Sequence, residues 1–547
     1  MKEKIVLLAI TLLSTSLICG ATFITSTVIQ STTHTYPDDF PGQTLQEAIE
    51  NGTVKDGDTI YVKQGTYYVH LNVTKSITLE GFHMNTTILD GMGNETVVRV
   101  IADNVKISEF TIQRGGQYGV YLYQTSNSNV SHNIIKNNSY GISLLKSRYC
   151  TLRDNDVKYN EYNLGVSGDT LEHFIHDIDI SNMVDGKPIY YWVNQHDKSI
   201  PSDAGYVAIV NSTGITAENL SLQRNREGVL VVCSTNSIIQ NVTLSDMETY
   251  ITLTSSENNL VQGNKIIRTR FIIPDFSGIQ LTRSNSNVIV DNTIRNYLVA
   301  YRGIGFILDK SVNNSIIANN ISKTIYSMHM QYSNGSIIFH NNFQDIGNLP
   351  KLQDSFDNKF DNGYEGNYWS DYTGNDTNGD GIGETRYVID GDNQDNYPLV
   401  SKWGAFRTFK RPMEVEVYPK STQKLYTFSN STLGYPPLGF TFDGNLTISL
   451  KVTSGYSGFL SITIPRNWLD GPFNITIDDN PVGYTLTPTV NATHSSIYIT
   501  YSKGNHIVKI KGTERGSIMG DLNGDGAVNI LDCIIMANNF GSRESSQ

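Results

Sequence analysis

Cysteine is scarce in this chain, with four residues in 547. That excludes a disulfide-dense scaffold and a multi-cysteine zinc or iron–sulfur protein. Charge is also thin, at 17% of residues, and leans acidic: 41 Lys+Arg against 53 Asp+Glu, a net charge of −12. That balance argues against non-specific nucleic-acid binding, which needs a basic face to displace counterions, so no nucleic-acid partner is expected. Hydrophobic residues reach only 39%. Past the N-terminus no apolar run approaches the ~20 residues of a membrane span, so none is expected after that segment is removed. Asn, Thr, Ser, Gly and 31 Tyr fill the gap. These are residues of turns and strands, and they argue against a helical protein.

The N-terminus is the exception. Lys2 and Lys4 precede an apolar run from Ile5 to Ile18, followed by Gly20 and Ala21. A basic start, an apolar centre and small residues at the exit predict a secretory signal peptide over 1–21. An uncleaved anchor is the alternative reading, and Cys19 follows the large Ile18 where a lipidation site has a small residue. The expected location is secreted or cell-surface. Sequons at Asn51, Asn72, Asn85, Asn94, Asn129, Asn211, Asn241, Asn320, Asn445 and Asn491 fit export as a glycoprotein. Cys150 and Cys233 read as small buried apolar residues on strands rather than as a bridge.

A repeat runs through the middle. Short apolar strands are each followed by Asn and another strand, as in Val130-Ser131-His132-Asn133-Ile134-Ile135 and Val288-Ile289-Val290-Asp291-Asn292. Asn133 to Asn155, Asn219 to Asn241 and Asn319 to Asn341 are each 22 apart; Asn264 to Asn292 is 28 and Asn292 to Asn319 is 27. Strands of the form Gly-apolar-x-apolar recur at Gly141-Ile142-Ser143-Leu144, Gly228-Val229-Leu230-Val231 and Gly278-Ile279-Gln280-Leu281. A 22-residue unit of two or three short strands predicts one turn of a parallel β-helix, which buries its inward side chains only between neighbouring turns. Equivalent Asn residues are expected to stack at a corner, bonding along the column and tolerating left-handed backbone. The longer units mark insertions that must leave as surface loops. Thr44 to Ile49 predicts a short amphipathic helix over the open end.

Gly57-Asp58-Thr59-Ile60-Tyr61-Val62, Ser76-Ile77-Thr78-Leu79-Glu80-Gly81 and Thr87-Ile88-Leu89-Asp90-Gly91 resemble the start of the NosD-like, pectin-lyase-type right-handed β-helix family. The segments 182–191 and 203–207 resemble its internal turns, and the resemblance covers about 36–400. It implies a fold shared by carbohydrate-binding proteins, lyases, hydrolases and surface proteins. The expected fold class is therefore all-β: a right-handed parallel β-helix over 36–345 and its end over 346–402. Alternating strands such as Leu446-x-Ile448-x-Leu450-x-Val452 and Leu460-x-Ile462-x-Ile464 predict an antiparallel β-sandwich over 405–513.

Two loops carry calcium-type spacing. In Asp521–Asp532, oxygen donors fall on Asp521, Asn523, Asp525, the Ala527 carbonyl, Asn529 and Asp532, with Gly526 at the sharp turn. Alternate spacing lets oxygens converge on one hard cation at about 2.4 Å. With the helix-like stretch after it, the segment 519–541 resembles half of an EF-hand-like dockerin module. That resemblance implies a cohesin-like protein partner, although familiar dockerins carry two such loops and this chain carries one. Asp376, Asn378, Asp380, the Ile382 carbonyl and Glu384 repeat the register, but Tyr387 stands where the last carboxylate belongs. The alternative there is a turn held by side-chain hydrogen bonds.

No polygalacturonase-type Asn-Thr-Asp, Asp-Asp or Gly-His-Gly segment occurs in the repeat region, and no Gly-x-Ser-x-Gly elbow, His-Glu-x-x-His motif or P-loop occurs in the chain. The expected function is non-catalytic binding of a polysaccharide or surface glycan, or surface attachment, with calcium-stabilised modules. The alternative is a polysaccharide lyase or glycoside hydrolase, for which Asp154, Asp156, Glu227, Asp246, Glu248 and Asp291 are the acids available to converge. A second alternative, copper handling, follows from the NosD-like resemblance. Met328-His329-Met330, His340 and His173-x-x-His176 are its candidate donors, against a reading as core.

Overall fold

The structure is a computed structural model. It describes residues 31–270, 276–298, 301–363, 365–377 and 381–403, and strands and turns between 412 and 512. The predicted signal peptide and the loop Asp521–Asp532 lie outside the described residues.

Strands three to six residues long wind into coils. Asn129–Ser131, Ile134–Lys136 and Tyr140–Leu145 make one coil; 22 residues later Thr151–Arg153, Asp156–Lys158 and Tyr162–Ser167 make the next, paired in parallel and in register. The same 22-residue pairing joins Thr216–Glu218, Ser221–Gln223 and Glu227–Val232 to Ile238–Gln240, Thr243–Ser245 and Thr249–Thr254. Period-two alternation decides which side chains enter: in Thr249–Thr254, Ile251 and Leu253 are buried while Thr252 and Thr254 are only half-buried. The 28- and 27-residue coils keep strand register, Thr249 opposite Ser277 and Ser277 opposite Ile304. In the sequence, the extra residues fall between the second and third strands of the coil.

Asparagines stack as the sequence predicts, in columns that hold the coils together. Asn264, Asn292, Asn319, Asn341 and Asn367 form one ladder. Asn292 Nδ2 donates to Asn319 Oδ1 at 2.9 Å and to the Val261 carbonyl at 2.9 Å, and its own Oδ1 accepts from the Asn264 backbone at 3.0 Å. The ladder ends on Asp395, whose Oδ2 accepts from Asn367 N at 2.7 Å and from Trp369 Nε1 at 2.9 Å. The left-handed residue is not the ladder Asn but the one before it: His132, Asp154, Asp291, Ala318 and His340 have φ between 53° and 60°. Asn219 and Asn241 also take this bend, with φ of 56° and 53°, and precede Leu220 and Val242 rather than a ladder Asn. One residue bends the chain and the next turns its amide inward. Serine builds a parallel column at another corner, from Ser212 through Ser234, Ser256, Ser284, Ser311 and Ser333 to Ser355.

The solenoid is two units. One core runs from Tyr36 to Val210 and takes in Leu230 and Val232; a second runs from Ile200 to Ile389. Between them, Met183–Val184 and Lys187–Val193 form an antiparallel pair, and Lys187–Val193 then starts the parallel stack of the second unit with Tyr206–Val210. The sequence reads 182–191 and 203–207 as ordinary coils; Tyr206 and Val207 do stack in parallel as read, whereas Met183–Val184 and Lys187-Pro188 turn back on each other in an antiparallel hairpin at the junction. Tyr206–Val210 and Glu227–Val232 are buried on both faces. Val207, Val229 and Val231 face the second core, while Tyr206, Ala208, Leu230 and Val232 face the first.

At the N-terminal end, the helix Leu45–Glu50 starts from Thr44 with a reciprocal Thr44–Glu47 capping box and buries Leu45, Ala48 and Ile49. Gln46 closes the edge strand Leu71–Val73: its Oε1 accepts from Asn72 N at 2.8 Å and its Nε2 donates to the Asn72 carbonyl at 3.3 Å. Between 412 and 512, two antiparallel sheets share a core of Ile448, Leu450, Leu460, Ile462, Ile497, Ile499, Val508 and Ile510.

Candidate functional site

The third sheet of the first unit, Leu71–Val73, Val98–Val100, Tyr118–Tyr123, Tyr140–Leu145 and Tyr162–Ser167, turns an aromatic face outward. Coil spacing puts Tyr118, Tyr140 and Tyr162 over one another, with ring centroids 5.0 Å apart at each step. Tyr121 stacks on Tyr118 at 4.4 Å, Tyr123 lies 5.6 Å from Tyr121, and the Arg99 guanidinium sits over Tyr123 at 5.3 Å. A cavity of about 410 Å³ opens on this pavement, lined by His70, Asn72, Glu95, Arg99, Gln117 and Tyr121 among others. It falls in the size range of small-molecule sites. Asn72 Oδ1 is buried there without a hydrogen-bond partner. Burial raises the Tyr118 and Tyr121 hydroxyls above the ordinary phenol range, so both stay neutral donors.

The second unit closes the pavement. Asn163 N donates to the Arg224 carbonyl at 2.7 Å and Arg226 N to the Leu164 carbonyl at 2.9 Å, so the last coil of the first unit bonds the approach to Glu227–Val232. The Arg226 side chain lies flat on Gly165, where a Cβ would come within 2.7 Å of its methylenes. Its guanidinium pairs with Glu227 at 3.2 Å and Glu248 at 3.4 Å. Tyr140 donates to Glu248 at 2.7 Å across the junction. Burial pushes the Glu227 carboxyl up to about 7, more than Arg226 pulls it down. Burial works against the charge on Arg226, but Glu227 and Glu248 outweigh it and hold the guanidinium protonated. Beyond Arg226, a second cavity of about 340 Å³ is lined by Glu227, Thr252, Gln280, Thr282, Asp309 and Asp169 among others.

Of the six acids singled out in the sequence, the structure brings only Glu227 and Glu248 together, through Arg226. Asp154 pairs with His132 at 3.4 Å and Asp156 with Lys158. Asp246 accepts from the backbone of Thr269 and Arg270, and Asp291 bends a corner. The tyrosine column went unread in the sequence, although Tyr118-Gly119 and Tyr140-Gly141 stand one 22-residue coil apart.

The copper candidates do not converge. Met328 and Met330 are fully buried in the core, and His329 faces the other way. His176 is buried with its Nε2 on the His173 carbonyl at 3.0 Å and its Nδ1 accepting from Cys150 N, and burial lowers it to about 4. His340 pairs with Glu365 at 2.8 Å. Among the described residues, no group of three or more His, Cys, Asp or Glu is placed to hold a metal ion. Cys150 is a buried free thiol, and Cys233 sits half-buried at a corner with φ of 48° rather than on a strand. In the loop around 376–384, Asp376 Oδ2 accepts from Gly381 N at 2.8 Å, the Glu384 carboxylate accepts from Thr377, and Ile382 bridges Leu399. Asn378 and Asp380 lie outside the described residues.

Comparison with known proteins gives these features a family. A family described as "Periplasmic copper-binding protein (NosD)" matches residues 51–190 and again 178–374, and the two matches meet at the junction hairpin. The chain belongs to the NosD family. A cell surface glycoprotein of Methanothermus fervidus is 32% identical over 94 residues, 17% of this chain. The match spans only 15% of that relative's own length. Among solved structures, a mannuronic acid specific polysaccharide family 6 lyase from human gut microbiota is 13% identical with a TM-score of 0.28, covering 59% of this NosD-family chain and 82% of its own. The Dettilon tailspike protein is 10% identical with a TM-score of 0.27, covering 87% of this chain and 93% of its own. Among the described residues, no helix is long and apolar enough to cross a membrane.

Proposed function

We propose that this NosD-family chain is an exported cell-surface protein that binds carbohydrate on the tyrosine pavement of its first unit without cleaving it. The observation that carries the reading is the cavity of about 410 Å³ on that pavement, where one aromatic face is ringed by uncharged and charged hydrogen-bonding groups. A sugar ring presents apolar C–H faces to an aromatic and hydroxyls to its rim, and this arrangement answers both. The name of the Methanothermus fervidus relative, and the periplasmic description of the family, agree with a place outside the cytoplasm. A defined glycan array probed with the full chain tests it. Tyr121→Ala is expected to weaken any captured glycan about tenfold, and wild-type binding to no glycan would end the proposal. Release of shortened products would favour the lyase or hydrolase reading instead.

Calcium is the second element of the proposal, resting on the spacing of Asp521–Asp532 and of Asp376–Glu384. Titration calorimetry of the full chain is expected to show calcium uptake that Asp521→Ala reduces. Docking of a cohesin-like protein through the single loop is a further consequence to be checked by pull-down with and without chelator.

A further inference from the structure

The asparagines of the coils divide by the side they face. Among the described residues, every buried asparagine, the ladder from Asn264 to Asn367 included, lacks Ser or Thr two places on. Alternation is the reason. A ladder Asn points inward, so the residue two places on does too and is apolar: Ile294 after Asn292, Ile321 after Asn319, Phe343 after Asn341. An Asn that bends the chain points outward, and the residue two places on shares its side. Asn137, Asn211, Asn219, Asn241 and Asn313 are such bends, all exposed with φ between 46° and 57°, and each completes Asn-x-Ser/Thr. The fold does not ask for that hydroxyl: the same bends at Asn236 and Asn258 are followed two places on by Ile238 and Leu260. Among the described residues, none bonds the side chains of Asn137, Asn219, Asn241 or Asn313, and Asn211 Nδ2 donates one proton to Asn194 Oδ1 at 2.6 Å. Other sequons lie inside strands. Asn129 is paired with Lys106 and Thr151, and Asn320 with Thr293 and Asn342. Asn320 Oδ1 also accepts from Gln344 Nε2, and the backbone of Asn72 is held by Gln46.

We infer that the bend asparagines Asn137, Asn211, Asn219, Asn241 and Asn313 carry N-linked glycans and that the strand asparagines Asn72, Asn129 and Asn320 do not. The inference rests on the export proposed above and not on the carbohydrate reading. The donor is an oligosaccharide activated through its anomeric carbon as a lipid-linked phosphate ester. The bond from Asn Nδ2 to that carbon forms as the bond from the carbon to the phosphate oxygen breaks; the lipid phosphate leaves with the electron pair and Nδ2 gives up one proton. Transfer needs the amide and the hydroxyl presented together on backbone that can be drawn away from its neighbours. A bend lies between strands, where local opening breaks few contacts, whereas a strand residue paired on both sides opens only with its ladder. The glycans then stand on the corners of the coils. The sheets formed by the third strands, on which both cavities open, hold none of the five bends and stay bare.

The test is glycopeptide mass spectrometry of the full chain, purified from the cells that make it after their cytosol has been separated from the envelope and the medium. In the exported fraction, peptides holding the five bend asparagines are expected to bear glycan in most copies, and peptides holding Asn72, Asn129 or Asn320 in none. Ser315→Ala should lower the intact mass by one glycan, the one on Asn313, while Ser315→Thr keeps it. The Ser315 side chain bonds no described residue, so both variants keep the coil. Exported chain with bare bends, or with the strand sequons filled as fully as the bends, would overturn the inference and leave export standing. An unchanged mass in Ser315→Ala would overturn it as well. Chain found in the cytosol alone would end both.

Discussion

A carboxyl group buried between two stacks of coils, as Glu227 is, ties folding to pH. Its side chain is 6% exposed, and burial raises it to about 7 from an ordinary value of 4.5. Below about pH 4.5 the group is protonated in both folded and unfolded chains and contributes no pH dependence. As pH rises from there towards 7, the unfolded chain releases the proton while the folded one still holds it, so stability falls. The loss levels off above the folded value and is of order 3 kcal/mol. Asp395 is raised to about 7 by burial as well and acts in the same direction. Glu227→Gln removes only the junction's share, so the variant is expected to lose less stability than the wild type between about pH 5 and pH 8. Urea melts at both pH values measure it; identical declines in the two proteins would refute the assignment. Nothing in the sequence around Arg226-Glu227 announces this, because the partners Tyr140 and Glu248 lie 108 residues apart and meet only when two units dock.

Among elements, the coil was the most legible and the corner only half so. Period-two alternation and the 22-residue interval lead to the strand pairing seen at Asn129–Ser131 with Thr151–Arg153, because both follow from burial of every second side chain. The Asn ladder was legible as a column but not as a division of labour, since an Asn that bends the chain and an Asn that bonds along the stack look alike in sequence. Asn241 does the first and Asn292 the second. The serine column was missed because Ser is common in any turn. The junction is not legible because its strands have the same composition as coils; the double burial of Tyr206–Val210 and Glu227–Val232 and the antiparallel pair at Met183–Val184 mark it in the structure. The ladder makes a firm prediction. Asn292→Ala deletes donors to Val261, Val290 and Asn319 and an acceptor for Asn264, all buried. A loss of about 3 kcal/mol is expected in urea unfolding, since buried backbone groups are left unmet. The capping helix makes another. Gln46→Ala bares the backbone of the edge strand Leu71–Val73, and an unpaired edge is a template for pairing with a second copy. Sedimentation should then show concentration-dependent self-association absent from the wild type.

The molecule as a whole is shaped by one choice, the use of a strand to finish one core and begin another. In a single solenoid each coil contacts only its neighbours, and stability is a sum of coil and interface terms. Here Glu227–Val232 carries two interfaces at once: Leu230 and Val232 complete the first core while Val229 and Val231 belong to the second. Losing that contact should separate the units without emptying either interior of more than one side chain. Leu230, 2% exposed, is the residue to change. Leu230→Asp places a carboxylate against the first core and leaves the inward face of its own coil intact, which disfavours docking because a buried charge without a partner is costly. Differential scanning calorimetry is expected to resolve two transitions in the variant where the wild type unfolds the units together. Leu230→Ala, which removes packing by about 2–5 kcal/mol but adds no charge, should lower the temperature of a joint transition. A single transition in the aspartate variant would show that the two stacks are held together by contacts other than this strand.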